Sequence, residues 1–131
     1  GLADRGHAVG GDMFEAPLAG SDARDTAPPD LVSLVRVVHD HDDGPVGELL
    51  AKIRAAMAPG ATLLVAEPMA ESPGAEPMGH AYFGLYLFAM GSGRPRTATE
   101  LIEMLRAAGF RNCREIRSYR PLMVRVIAAD A

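Results

Sequence analysis

The thirteen residues from Leu31 to Asp43, LVSLVRVVHDHDD, constrain this chain more than any other stretch. Leu31, Val32, Leu34, Val35, Val37 and Val38 leave only Ser33 and Arg36 polar before the run breaks into two histidines and three aspartates. So short and continuous an apolar run suits a strand covered on both faces, as in a parallel sheet. Ligands and catalytic groups in such sheets gather just beyond the carboxyl ends of the strands, which is where His39 stands.

Thr62 to Ala66, TLLVA, is a second run of the same kind, and it also ends in a polar residue, Glu67. Between the two runs lies a clear helical pattern. Pro45 suits a first turn, Val46, Leu49, Leu50, Ile53 and Met57 recur at helical spacing, and Pro59-Gly60 stops the run. The spacing predicts parallel strands over 31 to 38 and 62 to 67 with a helix at 45 to 58 on one face, so that His39 and Glu67 reach one edge of an α/β sheet.

Thr97-x-x-Glu100 is a capping box, Leu101, Ile102, Met104, Leu105 and Ala108 form an apolar face, and Gly109 closes the run, which predicts a helix at 97 to 108. Arg111 to Tyr119 is charge-rich and fits a sheet edge; after Pro121, Leu122 to Ala128 returns as a better-buried strand. Two strands joined so closely run antiparallel, a hairpin over 111 to 128. At the other end, a short strand near 7 to 10 turns out through Gly10, Gly11, Asp12, Met13 and Phe14, and Glu15 to Asp30 reads as a loop. Met78 to Met90 is a further helix of unusual character. Tyr82, Phe83, Tyr86, Leu87 and Met90 form one stripe while Leu85, Phe88 and Ala89 make the opposite side apolar too, so the helix is either core or the wall of an apolar ligand site.

Composition narrows the function classes. With 131 residues, 48% hydrophobic and 5% aromatic, the chain suits one domain with a modest core. A net charge of -4 from 13 basic and 17 acidic residues, with the arginines scattered, offers no basic patch for nucleic acid. The single Cys113 excludes an internal disulfide and a thiolate cluster and reads as a buried or half-buried thiol. No apolar stretch approaches the ~20 residues of a membrane span, and no signal peptide opens the sequence. A cytoplasmic protein is expected, with peripheral contact to a membrane surface left open. Gly1 to Gly6 reads like the exit of a helix, as though cut from something longer.

Three constellations carry chemistry. A histidine oriented by a carboxylate is a competent general base, so His39 with Glu67 is either such a pair or a structural hydrogen bond. His39-x-His41-x-Asp43 has the spacing of metal ligands, but a binuclear hydrolase needs a histidine where Gly44 stands, and only His7 and His80 remain to complete two shells; no metal is expected. Gly10-Gly11-Asp12 lacks the length and the lysine of a phosphate loop. It either lets a ligand approach the backbone while Asp12 accepts hydrogen bonds, or is a simple turn.

Taken together, Gly11-Asp12-Met13-Phe14, the strand ending His39-Asp40, the helix closed by Pro59-Gly60, Leu64-Val65-Ala66-Glu67, and Arg96-Thr97 before a helix ending Ala108-Gly109-Phe110 resemble the S-adenosylmethionine-dependent O-methyltransferases that include plant caffeate and flavonoid enzymes. Glu67-Pro68-Met69 and the stretch from Ala81-Tyr82-Phe83-Gly84 through Ala89 to Arg96 are most similar to the bacterial carotenoid enzymes, the hydroxyneurosporene and demethylspheroidene O-methyltransferases.

The resemblance implies a partial Rossmann-like class I methyltransferase sheet, mostly parallel with a carboxyl-terminal antiparallel hairpin. It assigns Asp12 and Met13 to the adenine part of the cofactor, His39 to the base that takes the substrate hydroxyl proton, and Glu67 to the carboxylate beside it. Tyr82, Phe83, Tyr86 and Met90 would wall the pocket of a small apolar hydroxylated substrate, such as a carotenoid. Departures are visible too: His41 stands where the family usually has tryptophan, Val35 where it has a cofactor-contacting lysine, and Pro95 where it has a second acid. The alternative from a different class is a small non-catalytic α/β binding module using the Met- and Tyr-lined helix.

The family's first two strands, with their glycine-rich cofactor motif and ribose-binding acid, and its amino-terminal dimerisation domain are not found in the sequence. Residues 1 to 131 are therefore expected to be the carboxyl-terminal portion of a catalytic domain whose full-length protein is a homodimer. Without the central strands, residues 31 to 38 would present an open edge, through which the isolated chain self-associates unless residues 7 to 10 pair beside it. The isolated chain is accordingly expected to bind S-adenosylmethionine negligibly. Titration calorimetry checks this, and micromolar binding by a monomer would contradict it.

Overall fold

The computed structural model describes residues 1, 5–6, 8, 10–15, 27–74, 83–118 and 124–131, with Phe83 described by its backbone alone. Its elements are β1 (Leu31–Val35), a 3-10 turn (Val38–Asp40), α1 (Asp43–Ala56), β2 (Thr62–Glu67), α2 (Phe83–Met90), α3 (Ala98–Ala107), β3 (Arg111–Ile116) and β4 (Arg125–Asp130). The strands form one sheet in the order β1-β2-β4-β3. β1 pairs in parallel with β2, from Leu31 opposite Thr62 to Val35 opposite Ala66. β4 runs antiparallel to both β2 and β3. The expected parallel pair and closing hairpin are both present, the hairpin's second strand lying a few residues later than its apolar pattern suggested. Of the strand expected near 7 to 10, residues 7 and 9 lie outside the described residues, and residues 8 and 10 belong to no strand.

One face of the sheet carries the core. Leu34, Leu63, Val65, Ile127 and Ala129 from the strands share a cluster with Val46, Leu49, Leu50 and Ile53 of α1 and Leu101 and Leu105 of α3. Each leucine removed from water there contributes on the order of 2 kcal/mol. Side chains alternate across a strand, so Glu67, two residues beyond Val65, turns to the same helix-covered face. That parity brings a carboxylate into the interior at 2% exposure.

Local chemistry sets the helix ends. α3 starts at a complete capping box, Glu100 N donating to Thr97 Oγ1 at 3.2 Å and Thr97 N to Glu100 Oε2 at 2.7 Å. It ends with Gly109 at φ +94, Gly109 N bonding Arg106 O and Phe110 N bonding Leu105 O, both at 3.0 Å. This is the glycine-closed motif anticipated from Ala108-Gly109-Phe110, and it turns Phe110 back into the core. α1 begins two residues ahead of the expected Pro45, with Asp42 at its N-cap position. Proline's missing N–H costs nothing inside a first turn.

Two expectations for the first strand are corrected. The strand stops at Val35 instead of continuing to Val38, because Arg36 adopts the left-handed φ of +55 and the chain then tightens into the 3-10 turn. Nor is it covered on both faces: Leu31 and Val35 are 56% and 58% exposed, and only the side bearing Leu34 meets the core, while among the described residues β1 is a sheet edge, in line with the open edge expected at 31 to 38. Cys113 is half-buried, and burial pushes its thiol above the usual range. No helix among the described residues is long and apolar enough to cross a membrane.

The capping box makes a direct prediction. Replacing Thr97 with alanine removes one acceptor from the first turn of α3 and should cost about 1 kcal/mol in chemical denaturation, while Thr97→Ser should retain most of the stability.

Candidate active site

His39 and Glu67 meet at the carboxyl ends of the two parallel strands. β2 carries Glu67 as its last residue, and the left-handed turn after β1 swings the 3-10 segment over it. His39 Nδ1 lies 2.6 Å from Glu67 Oε2. The other carboxylate oxygen, Oε1, accepts from Val37 N at 2.9 Å and Val38 N at 2.8 Å. Both partners are deeply buried, at 6% and 2% exposure, and a carboxylate in such a place must have its lone pairs satisfied. An ionised carboxylate only accepts, so a charged Glu67 would take the proton of Nδ1 in a hydrogen bond and leave Nε2 as the ring atom that can accept one. Asp40 Oδ1 is 3.2 Å from Nε2. Any charge arriving on the ring therefore has a carboxylate on each side.

A cleft of about 290 Å³ opens beside the pair, lined by Arg36, His39, Asp40 and Tyr86. Tyr86 and His39 thus share one cleft. Met90 is 56% exposed and does not line that cleft, while Tyr82 and the side chain of Phe83 lie outside the described residues. Of the two readings of α2, core or the wall of an apolar ligand site, full burial is not what the structure shows: Leu87 is buried, but Leu85, Tyr86, Phe88 and Met90 are exposed. An all-apolar helix shows no preferred side in its sequence, so burial is decided by what packs on it.

Asp12 and Met13 sit elsewhere. Asp12 Oδ1 accepts from Phe14 N at 2.8 Å, which makes the turn local, and Met13 lines an apolar cleft of about 300 Å³ with Leu31, Val32, Leu34, Leu49 and Ile53. Beside Met13, the Phe14 ring meets the His41 ring edge-on, centroids 4.8 Å apart at 82°.

Sequence reasoning missed the group beneath the histidine turn. Arg96, 2% exposed, donates to the carbonyls of Val38 and His41 and to Asp43, and Gly93 closes against the same backbone. At φ +81, a Cβ on Gly93 would stand 2.3 Å from His39 O and 2.6 Å from the Asp40 carbonyl carbon, so no larger side chain fits. Gly93 N also donates to Asp42 Oδ1 at 2.9 Å, drawing that side chain away from capping α1. A buried arginine had no signal in the sequence beyond its place in the Gly91 to Thr97 stretch. Among the described residues, no group of three or more His, Cys, Asp or Glu side chains could hold a metal ion.

The O-methyltransferase domain family model matches residues 1–111. The demethylspheroidene O-methyltransferase of Rhodobacter capsulatus is 42% identical over 101 residues, covering 77% of this chain and 26% of its own length. Its counterpart from Cereibacter sphaeroides is 37% identical over 132 residues, 98% of this chain and 32% of its own. Among solved structures, human N-acetylserotonin methyltransferase in complex with SAM superposes with a TM-score of 0.75 at 29% identity, over 92% of this chain and 32% of that one. The chain therefore spans about a quarter to a third of the length of these relatives.

The ion pairs around the histidine turn predict an acid sensitivity. Asp43 is held below the ordinary carboxylate range chiefly by its bond from Arg94, with Arg96 adding; Glu100 is lowered first by the Thr97 backbone and then by Arg94. A carboxyl whose folded pKa is depressed stabilises the fold above its unfolded pKa of about 4 and loses that contribution as pH falls through the folded value. The thermal midpoint should accordingly change little from neutral pH to about 5 and drop below about 4. Asp43→Asn should flatten part of that drop, and a pH series of melting curves on both forms checks it.

Proposed function

The chain belongs to the O-methyltransferase domain family, and from that premise we propose that it supplies the proton-removing half of an S-adenosylmethionine-dependent O-methyltransferase acting on a hydroxyl of an apolar substrate. The relatives' names favour a hydroxylated carotenoid. In this reading the 131 residues form the carboxyl-terminal portion of a longer catalytic domain, whose remainder carries the first two strands and the dimerising domain. The whole protein works as a cytoplasmic homodimer that can touch a membrane surface to meet so apolar a substrate.

The observation that carries the proposal is the buried Glu67–His39 pair at 2.6 Å. Glu67 fixes the tautomer and stabilises the ring as it becomes charged, so Nε2 is free of its own proton and takes one from the substrate hydroxyl. Asp40 stands ready for the resulting Nε2–H. His39 is 6% exposed, and a site closed to water over a bound substrate would strengthen each of these interactions. Tyr86 and Met90 offer an apolar side of α2 to a long substrate, with Tyr82 and Phe83 on the same stripe of sequence.

S-adenosylmethionine, when bound, supplies an electrophilic methyl group on a positive sulfonium. The residues present suit its adenosine part: Asp12 is exposed and can accept hydrogen bonds, and Met13, 38% exposed over an apolar cleft, offers a polarizable thioether to a flat ring. Nothing beyond the exposed apolar side of α2 speaks for a non-catalytic binding module, and we do not adopt that reading.

In the full-length protein, His39→Ala should lower methyl transfer by about 10² to 10⁴ with cofactor affinity nearly unchanged, the usual share of a general base. An equal loss of cofactor binding would mark His39 as structural. His41→Ala should matter less, and activity that responds to a chelator would favour the metal reading instead.

A further inference from the structure

The Arg96 side chain is 1% exposed, an expensive place for a cation unless every donor is used. Its fork is used in full. Nη1 donates to Val38 O at 2.8 Å and lies 3.5 Å from Arg94 O; Nη2 donates to His41 O at 2.8 Å and to Asp43 Oδ1 at 2.6 Å; Nε donates to Asp43 Oδ1 at 2.8 Å. The two ring-bearing residues' neighbours are thus pinned from one side: Val38 immediately before His39, and His41 two residues after it.

The arginine's own backbone reaches the other half of the pair. Ala70 N donates to Arg96 O at 2.9 Å, which ties the segment three residues beyond Glu67 to the same anchor. Glu67 restrains the 3-10 turn from the front through Val37 N and Val38 N, and Arg96 restrains it from behind through two carbonyls. A 2.6 Å hydrogen bond between groups on two separate elements survives only if both elements are held.

We propose that Arg96 is a positioning residue for His39, clamping the 38 to 41 turn so that the imidazole keeps its bond to Glu67 and its Nε2 aim. The proposal rests on the reading of His39 as the base. A lysine cannot replace the clamp, because its single ammonium is a point donor whereas the planar guanidinium spans two carbonyls and a carboxylate at fixed spacing. Loosening the turn misplaces the base, and an error of about 1 Å at a reacting group costs on the order of a hundredfold in rate.

The test uses the full-length methyltransferase carrying these residues. Arg96→Lys should lower kcat about ten- to a hundredfold, with KM for S-adenosylmethionine within about twofold. Nitrogen-15 spectra of the His39 ring should change from one tautomer to an averaged signal. Asp43→Asn, with its fold checked by circular dichroism, removes the charge partner of Arg96 while keeping an acceptor oxygen and should shift kcat and the ring signal the same way by a smaller factor. Unchanged kcat in both variants overturns the clamp. So does an Arg96→Lys protein that fails to fold beside an Asp43→Asn protein with native kcat and ring signal. His39→Ala separates the two readings: if it stays active the base assignment falls, whereas an inactive His39→Ala beside a fully active Arg96→Lys removes only the clamp.

Discussion

A buried carboxylate that must satisfy its lone pairs organises this structure. Glu67 enters the interior because it continues the parity of Leu63 and Val65 on the face covered by α1 and α3. Once there, it cannot remain ionised without donors, and the nearest available are the amides of Val37 and Val38 and the ring of His39. Those three bonds dictate that the chain leaving β1 fold over the end of β2. The left-handed Arg36, a conformation that costs a non-glycine residue about 1 kcal/mol or more, is the backbone consequence.

A second tier of polar contacts supports the first. Asp42 and Asp43, which in an isolated helix would cap and stabilise the start of α1, are instead engaged by Gly93 N, Arg94 and Arg96. The stretch from Gly91 to Thr97 is thereby fastened beneath the histidine turn before the chain enters α3. Exposed ion pairs of this kind contribute little individually. Their value here is geometric, since they fix the buried Arg96, whose fork spans the turn.

The sheet edge and α2 show the limit of hydrophobic pattern as a guide. Leu31 and Val35 in β1, and Leu85, Phe88 and Met90 in α2, are as apolar as the buried residues beside them, yet they face outward. Apolar character says that burial is favourable; it does not say what will do the burying. Of α2, Tyr86 lines the cleft beside the histidine.

Periodicity, capping residues and turn signals are local, and they determined by themselves the parallel pair, α1, α3 and the closing hairpin, down to the Thr97 box and the Gly109 stop. The same logic paired His39 with Glu67, because each ends an apolar run and parallel strands bring such ends together. Tertiary structure alone decided the rest. Arg96 acts on backbone carbonyls 55 to 58 residues away, and a carbonyl has no side-chain identity for a sequence pattern to reveal. Asp40 reached Nε2 only because Arg36 turned the chain. Whether Val35 or Phe88 is buried depended on neighbouring surfaces, which no window of the chain contains.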